Sequence, residues 1–191
     1  TVEVSLAEWN KFLNYYDQNP NNEEYVAGKF TWVKNGTTEI LDNIGLRLKG
    51  NTSRRSPEGN PGETHNATNP DWHHASFTVS FKKYNKTQLF HNSEKVVLKW
   101  FKDDAMYARE VYSYDLFEEF GVWTAPQSSY CKLTIKVTGD NKAAYFGVYQ
   151  LQEPVDDVYL ANRSTFFSTT GNLWKANWGA SFKDASTSNM G

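Results

Sequence analysis

The stretch YVAGKFTWVKNG, residues 25–36, decides the fold predicted for this chain. A strand-like run over residues 25–34 ends at Asn35-Gly36, a pair favoured in two-residue turns because both positions tolerate positive φ. The return strand is expected to place Leu46 and Leu48 on one face, alternating with polar residues on the other. The segment therefore predicts a β-hairpin around which the rest of the domain is built.

Upstream of this hairpin the sequence predicts an amphipathic helix. Ser5 followed by Glu8 is the pattern of a capping box. Apolar residues then recur at the spacing of one helix face, and Asn19-Pro20 ends the pattern. The predicted buried face consists of Trp9, Phe12, Leu13 and Tyr16.

Downstream, alternating segments predict further strands. Residues 77–81 indicate a half-buried strand, and residues 145–151, apolar on both faces, indicate a central one. The remaining segments with strand-like patterns are 96–100, 131–137 and 172–178. Residues 51–72 are rich in Gly, Pro, Asn, Ser and Thr and predict a long loop. Consecutive hairpins with one packed helix predict an α+β domain with a mostly antiparallel sheet.

The packed helix is predicted over residues 104–120, closed by Gly121. Its apolar side is formed by Met106, Leu116, Phe117 and Phe120. Arg109 and Glu110 flank this side, and an ionisable pair that faces inward requires partners. Two interpretations remain open: a structural ion pair that fixes the helix to the sheet, or a pair that orients a lysine or a phosphate.

Composition narrows the classes of function. The chain has 191 residues and a formal net charge of −2, which argues against a general nucleic-acid-coating role but permits a local anion site. No apolar run approaches the roughly 18 residues of a membrane span. The four histidines fit no common zinc spacing, so no metal site is predicted from them. Trp32, Trp72, Trp123 and Trp178 suggest a weaker alternative, a glycan-stacking surface.

Four segments carry candidate chemistry. In RLKGNTSR, residues 47–54, a strand ends in a glycine turn with hydroxyls and arginine, a combination that can hold an anion. The other three segments are DAMYARE at 104–110, GVYQLQEPVDD at 147–157 and GNLWK at 171–175. In the segment 147–157, a buried strand leads to Glu153 just before a proline, at the expected edge of a cleft.

Taken together and in this order, the four segments resemble the spore-coat-protein-H (CotH) kinase family. The resemblance implies an atypical protein kinase that uses ATP and Mg²⁺, with a sheet-and-helix arrangement like a kinase N-lobe. It implies that the nucleotide-binding residues are Arg47, Lys49, Gly50, Asn51, Thr52, Ser53, Arg54, Glu110, Glu153 and Lys175, with Asp104 and Arg109 in structural or orienting roles. Residues 1–191 are then expected to be the N-terminal part of a longer domain whose catalytic residues lie in its C-terminal half.

One departure from the family pattern concerns a lysine. Relatives carry lysine just before the Ser-aromatic step, whereas this chain has His73-His74-Ala75 before Ser76. His74 and Lys82 are the candidates to replace it.

The alternative function is a non-catalytic cell-surface or envelope module of the same fold that binds a protein or a glycan.

The resemblance also implies where the protein acts and on what. We expect an extracellular or bacterial cell-envelope location, reached after removal of a leader. The expected partner is a protein substrate or surface protein, and self-association into a homodimer is expected if apolar surface is exposed.

Overall fold

A computed structural model of the chain describes residues 1–167 and 172–174. The chain divides into a first unit, Thr1–Pro154, and a second that begins at Val155. The elements of the first unit are β1 (Val2–Val4), α1 (Leu6–Gln18), β2 (Val26–Lys34), β3 (Thr37–Lys49), β4 (Ser76–Ser80), β5 (Lys95–Lys99), α2 (Arg109–Glu119), β6 (Ser128–Val137) and β7 (Ala144–Gln152).

The predicted hairpin is formed by β2 and β3. Its turn is Asn35-Gly36, with φ of 51° and 79°, so both positions adopt the positive φ that two-residue hairpin turns require. Lys34 pairs with Thr37, and the ladder continues to Val26 opposite Leu46. The sequence prediction of this hairpin is confirmed.

Seven strands form one closed barrel in the order β1-β2-β3-β4-β5-β7-β6. All neighbours are antiparallel except β1 and β6, which run parallel with Val2 opposite Ile135. On its other side β1 is antiparallel to β2, with Val2 opposite Phe30. β1 therefore joins the two sheet edges that would otherwise be unpaired.

The predicted fold class, an α+β arrangement with a mostly antiparallel sheet and a packed helix like a kinase N-lobe, is wrong. The sheet is a closed mixed barrel with few and short helices. The prediction missed β1 because three residues give no readable period and its partner β6 lies far along the chain. Closure by one short strand is a non-local event that alternation within segments does not reveal.

The core consists of large rings and branched residues inside the barrel, together with one face of α1. Ser5 caps α1 by accepting the Glu8 N–H at 3.2 Å, as the capping pattern predicts. Trp9, Phe12 and Leu13 are buried, and the Phe12 ring lies 6.3 Å from that of Phe77 in β4. The predicted helix and its apolar face are confirmed.

Alternation along β3, β4, β5 and β7 separates an inner from an outer side. Phe77 and Val79 of β4 point inward, as do Val96 and Leu98 of β5. The intervening Ser76, Thr78 and Ser80 point outward but are also buried. The prediction of a half-buried β4 is therefore wrong: Arg47 and Lys49, which lie opposite Thr78 and Ser76, flank these small side chains with long ones.

Helix α2 is shorter than predicted and faces the barrel with a different side. The Asp104 carboxylate accepts the N–H groups of Met106, Ala108 and Arg109, which form the approach to the helix. These backbone donors outweigh desolvation and lower the pKa of Asp104. At the other end Gly121 adopts φ 73°, and its N–H and that of Val122 bind the last helical carbonyls, as predicted for the closing glycine.

The apolar side of α2 does not pack against the sheet as expected. Met106 and Phe120 are 83% and 79% exposed, and Val111 is the buried residue of the helix. The sheet is met instead by Glu110 and Tyr114, which bind polar groups on β5 and β7. Self-association into a homodimer stays a prediction, which would depend on this exposed apolar side.

Residues 51–72 contain no helix or strand, but buried polar contacts fix this loop. The buried Glu58 carboxylate accepts the Trp9 indole N–H at 2.7 Å and the Asn66 N–H at 3.0 Å. His65 lies between two carboxylates, with Nδ1 2.9 Å from Glu58 and Nε2 2.9 Å from Asp140 in the β6–β7 turn. The loop is thereby joined to α1 and to one end of the barrel.

His65 makes the stability of the fold dependent on pH. Burial alone would lower the pKa of His65, but hydrogen bonds and charges from Asp140 and Glu58 outweigh burial and raise it. Because the folded pKa exceeds the unfolded value of about 6.5, this stabilisation is complete below that pH and is lost as pH rises through the folded pKa. Thermal unfolding from about pH 5.5 to 9 should therefore show a wild-type advantage over H65Q that shrinks as pH rises. An advantage that grows with pH, or an equal trend in the exposed-histidine control H91Q, contradicts this assignment.

In the second unit, α3 (Asp157–Asn162) begins at Asp156, whose carboxylate accepts the N–H groups of Val158 and Tyr159. Residues 172–174 contain no regular structure, and the rest of the strand predicted at 172–178 lies outside the described residues. In the described part of the chain, no helix has the length and apolar character needed to cross a membrane.

Candidate functional site

The outer side of the barrel carries polar side chains on four strands, and several of these side chains are buried. Cross-strand pairing places Lys49 opposite Ser76, and Lys99 opposite Gln150. A second row runs from Thr78 through Val97 to Gln152. We call this set of residues the polar outer face; it consists of the strand residues Lys49, Ser76, Thr78, Lys99, Gln150 and Gln152, together with Glu110 and Tyr114 of α2, which lie against them.

At the centre of the polar outer face, a lysine of the sheet meets a glutamate of α2. Lys99, the last residue of β5, forms an ion pair with Glu110 in the first turn of α2. Tyr114 donates its hydroxyl hydrogen to Glu110 at 3.3 Å and accepts a hydrogen bond from the Gln152 amide at 3.2 Å. Burial and the neighbouring Glu110 charge raise the pKa of Tyr114, so the hydroxyl remains a donor. The Glu110 carboxylate is therefore held from both the strand and the helix.

Two buried polar atoms of this face have no hydrogen-bond partner among the described residues. They are Thr78 Oγ1 and Gln150 Oε1. The Gln150 side chain is fully buried, and its amide nitrogen already binds the Ser128 hydroxyl at 2.9 Å. Because a buried polar group without a partner costs about 1–3 kcal/mol, such groups indicate a place where water or a ligand completes the hydrogen bonding.

Glu110, predicted as a site residue, is thus part of this face, whereas Lys99 was missed. Because Val96 and Leu98 point inward and side chains alternate along a strand, Lys99 is expected to point outward. This alternation is the sequence signal from which the outward position of Lys99 could have been predicted. Neither proposed replacement for the family lysine reaches Glu110. His74 binds the Phe146 carbonyl at 2.8 Å, and Lys82 forms an ion pair with Glu94.

The predicted glycine turn lies at the end of β3, beside the polar outer face. Gly50 has φ 119°, and a Cβ there would lie 2.7 Å from Ser53 Oγ, so the turn requires glycine. Lys102, in the connection from β5 to α2, donates to the Thr52 carbonyl at 3.3 Å. Lys49, Gly50 and the exposed Asn51 and Thr52 are therefore brought near the β5–α2 connection.

The two predicted arginines are engaged in holding the α1–β2 connection. Arg54 is almost fully buried and donates to the carbonyls of Gly50, Pro20 and Asn22 at 2.9, 3.2 and 2.9 Å. Arg47 binds the Tyr25 hydroxyl at 3.0 Å and the Glu23 carboxylate at 3.1 Å. These contacts give both arginines a structural role in the barrel.

The remaining predicted residues lie at the margins of the face or away from it. Glu153 follows β7 and exchanges hydrogen bonds with the backbone N–H and carbonyl of Gln127 at 3.0 and 2.9 Å. Arg109 is exposed at the start of α2, where its backbone N–H binds Asp104. Lys175 lies outside the described residues.

Gly147 shapes the strand that carries Gln150 and Gln152. Leu133 pairs with Gly147 but Thr134 pairs with Tyr145, so Phe146 is an extra residue in a β-bulge. Gly147 has φ 105°, which L side chains rarely adopt. The freed Phe146 carbonyl binds His74, whose ring stacks on Trp100 with centroids 5.3 Å apart.

The change G147A should lower stability by about 1–3 kcal/mol through backbone strain. An added Cβ would lie 3.7 Å from His74, an ordinary contact, so strain rather than collision is the cause. The midpoint of thermal unfolding should fall by roughly 2–4 °C per kcal/mol. Where φ is compatible, glycine-to-alanine changes raise stability, so a raised midpoint would show that this interpretation of the bulge is wrong.

Other candidate sites receive less support. Trp32 and Trp72 pack against the core through ring contacts with Phe90 and Phe146, which removes two rings of the proposed glycan surface. Trp123 is 45% exposed, and Trp178 lies outside the described residues. Among residues 1–167 and 172–174, no three His, Cys, Asp or Glu side chains are arranged to hold a metal ion.

Comparison with known families agrees with the order of motifs along the chain. A family model described as CotH kinase protein matches residues 46–191, which is most of the sequence. The chain therefore belongs to the CotH kinase family. The matched range begins within β3 and includes every residue of the polar outer face. A search of curated proteins finds no significant match.

Proposed function

We propose that the chain binds the phosphates of ATP on its polar outer face and acts as the nucleotide-binding part of an atypical protein kinase. The observation that carries this proposal is the ion pair between Lys99 on a strand and Glu110 on the adjacent helix. In protein kinases a strand lysine held by a helix glutamate positions the nucleotide phosphates. Membership of the CotH kinase family supports the same chemistry.

Each member of the face would have a separate task. The Lys99 ammonium would contact phosphate oxygens, and Glu110 would fix its position, itself held by Tyr114. Thr78 and Gln150 would gain the partners they lack among the described residues. The glycine turn at Gly50 would allow backbone N–H groups to approach the phosphates closely.

In this proposal Mg²⁺ binds only together with the nucleotide. Bound to the phosphates, Mg²⁺ neutralises developing charge during phosphoryl transfer. Mg²⁺ keeps several waters and binds through phosphates with one or two carboxylates, so a dedicated cage is not needed. Glu110, the carboxylate that pairs with Lys99, would be the protein group that assists the metal.

We also propose that the phosphorylated substrate is a protein and that the reaction takes place outside the cell or at a bacterial cell envelope. Both proposals extend what the resemblance to the CotH kinase family implies. The alternative, a binding module of the same fold without catalysis, requires no nucleotide.

The test compares ATP with adenosine in thermal unfolding of the chain in the presence of Mg²⁺. A ligand that binds only the native state at 100 times its Kd stabilises by about 2.7 kcal/mol. We expect ATP to raise the unfolding midpoint and adenosine to raise it far less, because the polar outer face contacts phosphates. Equal effects of the two ligands, or no effect of ATP, would contradict the proposal and favour the non-catalytic module.

A further inference from the structure

A cluster of lysines lies at the end of β4 and β5 that is opposite to the Lys99–Glu110 pair. An open cleft of about 410 Å³ is lined by Tyr25, Ser80, Lys82, Lys83, Lys86, Glu94 and Lys95. Four lysines thus surround a single carboxylate in a chain whose formal net charge is −2. The cleft is therefore a local concentration of positive charge.

The lining contains one paired carboxylate and two exposed lysines. Lys82 forms an ion pair with Glu94, so this carboxylate is already engaged. Lys83 lies over the Tyr25 ring, 5.0 Å from its centroid, and Lys86 donates to the Lys83 carbonyl at 3.4 Å. Both Lys83 and Lys86 are exposed, so their ammonium groups can reorient toward a ligand.

This lysine cleft is separate from the polar outer face. Lys95 and Lys99 are the first and last residues of β5, which places them about 13 Å apart at 3.3 Å per residue. Glu110 and Tyr114 lie at the Lys99 end. A ligand in the cleft therefore leaves the Lys99–Glu110 pair accessible.

We propose that the lysine cleft binds an acidic polypeptide segment of a partner protein. The charge of the cleft is complementary to consecutive aspartate or glutamate residues, and such complementarity governs association rate and specificity. The lining contains no arginine and no glycine turn, the features that favour bidentate or backbone recognition of phosphate. An open cleft lined by flexible lysines and one aromatic ring suits an extended chain with several carboxylates. This inference holds whether or not the polar outer face binds ATP.

The experiment measures binding of a fluorescent peptide of eight glutamates to the full chain by anisotropy at low ionic strength. The variant K83Q/K86Q removes two cleft cations. The control K34Q/K142Q removes two exposed lysines elsewhere in the barrel and changes net charge equally. Because each exposed ion pair adds modestly to affinity and the variant removes two cations, we expect it to weaken binding about tenfold and the control to leave it within about twofold.

Raising the salt concentration should weaken binding of the wild type more than that of K83Q/K86Q, since exposed charges are screened. Equal loss in the two double variants would overturn the proposal, because binding would then follow net charge alone. Tighter competition by tripolyphosphate than by unlabelled peptide, with the same dependence on Lys83 and Lys86, would also overturn it in favour of a phosphate site. Failure of ATP to stabilise the chain would leave these results unaffected.

Discussion

Replacement of Lys99 by glutamine is expected to remove most of the stabilisation that ATP gives to the chain. A hydrogen bond to a charged group contributes about 1.5–3 kcal/mol, so affinity for ATP should fall roughly 10- to 150-fold. Lys99 is the cation that Glu110 holds on the polar outer face, and glutamine cannot replace its charge. The measurement is calorimetric titration of Mg-ATP into wild type and K99Q.

The control for this change is K132Q, which removes an exposed lysine from β6 of the same barrel. K99Q itself should fold normally, because the Lys99 and Glu110 side chains are 40% and 33% exposed and such pairs contribute about 0–1 kcal/mol. Unfolding midpoints without ligand should therefore be similar in all three proteins. If K99Q binds ATP as tightly as K132Q does, the Lys99–Glu110 pair is structural only.

The largest effect on stability is expected from E58A. The change would leave the Trp9 indole N–H, the Asn66 N–H and the His65 ring without their shared acceptor in a buried site. Removal of one partner from a buried ionic network costs about 3–5 kcal/mol. For a chain of this size the unfolding midpoint should fall by on the order of 10 °C.

A matched control lies in the same loop. Glu63 is exposed and accepts hydrogen bonds from Asn60, so E63A should change stability by less than about 1 kcal/mol. Denaturant unfolding of wild type, E58A and E63A gives the free energies directly. Equal stability of E58A and E63A would mean that the buried Glu58 cluster does not hold the loop to the core.

Local patterns in the sequence predicted the local elements. The hairpin turn at Asn35-Gly36 and the cap of α1 at Ser5 depend on neighbouring residues, and both are confirmed. The barrel was not predicted, because its closure depends on three residues of β1 that pair with the distant β6. Likewise, the exposed apolar side of α2 could not be predicted from its period, because a helix can meet a sheet through polar contacts such as those of Glu110.

The candidate site was predicted in part. Glu110 lies on a helix and the glycine turn follows a strand, as predicted, because helical periods and turn residues are local signals, although α2 begins at Arg109 and not at Asp104. Lys99 was not predicted as a site residue, because its contact with Glu110 depends on how α2 packs on the sheet, which the alternation along β5 does not encode. The structural engagement of Arg54 depends on carbonyls of the α1–β2 connection, more than 30 residues away, which no local pattern encodes.

If ATP binds the polar outer face through Lys99 and its neighbours, residues of that face should report the binding. A nuclear magnetic resonance titration of the ¹⁵N-labelled chain with Mg-ATP measures this residue by residue. We predict that the side-chain amides of Gln150 and Gln152 and the backbone amide of Gly50 shift progressively, while those of Lys83 and Lys86 in the lysine cleft do not. Shifts confined to Lys83 and Lys86, or the absence of any shift, would contradict binding of ATP at the polar outer face.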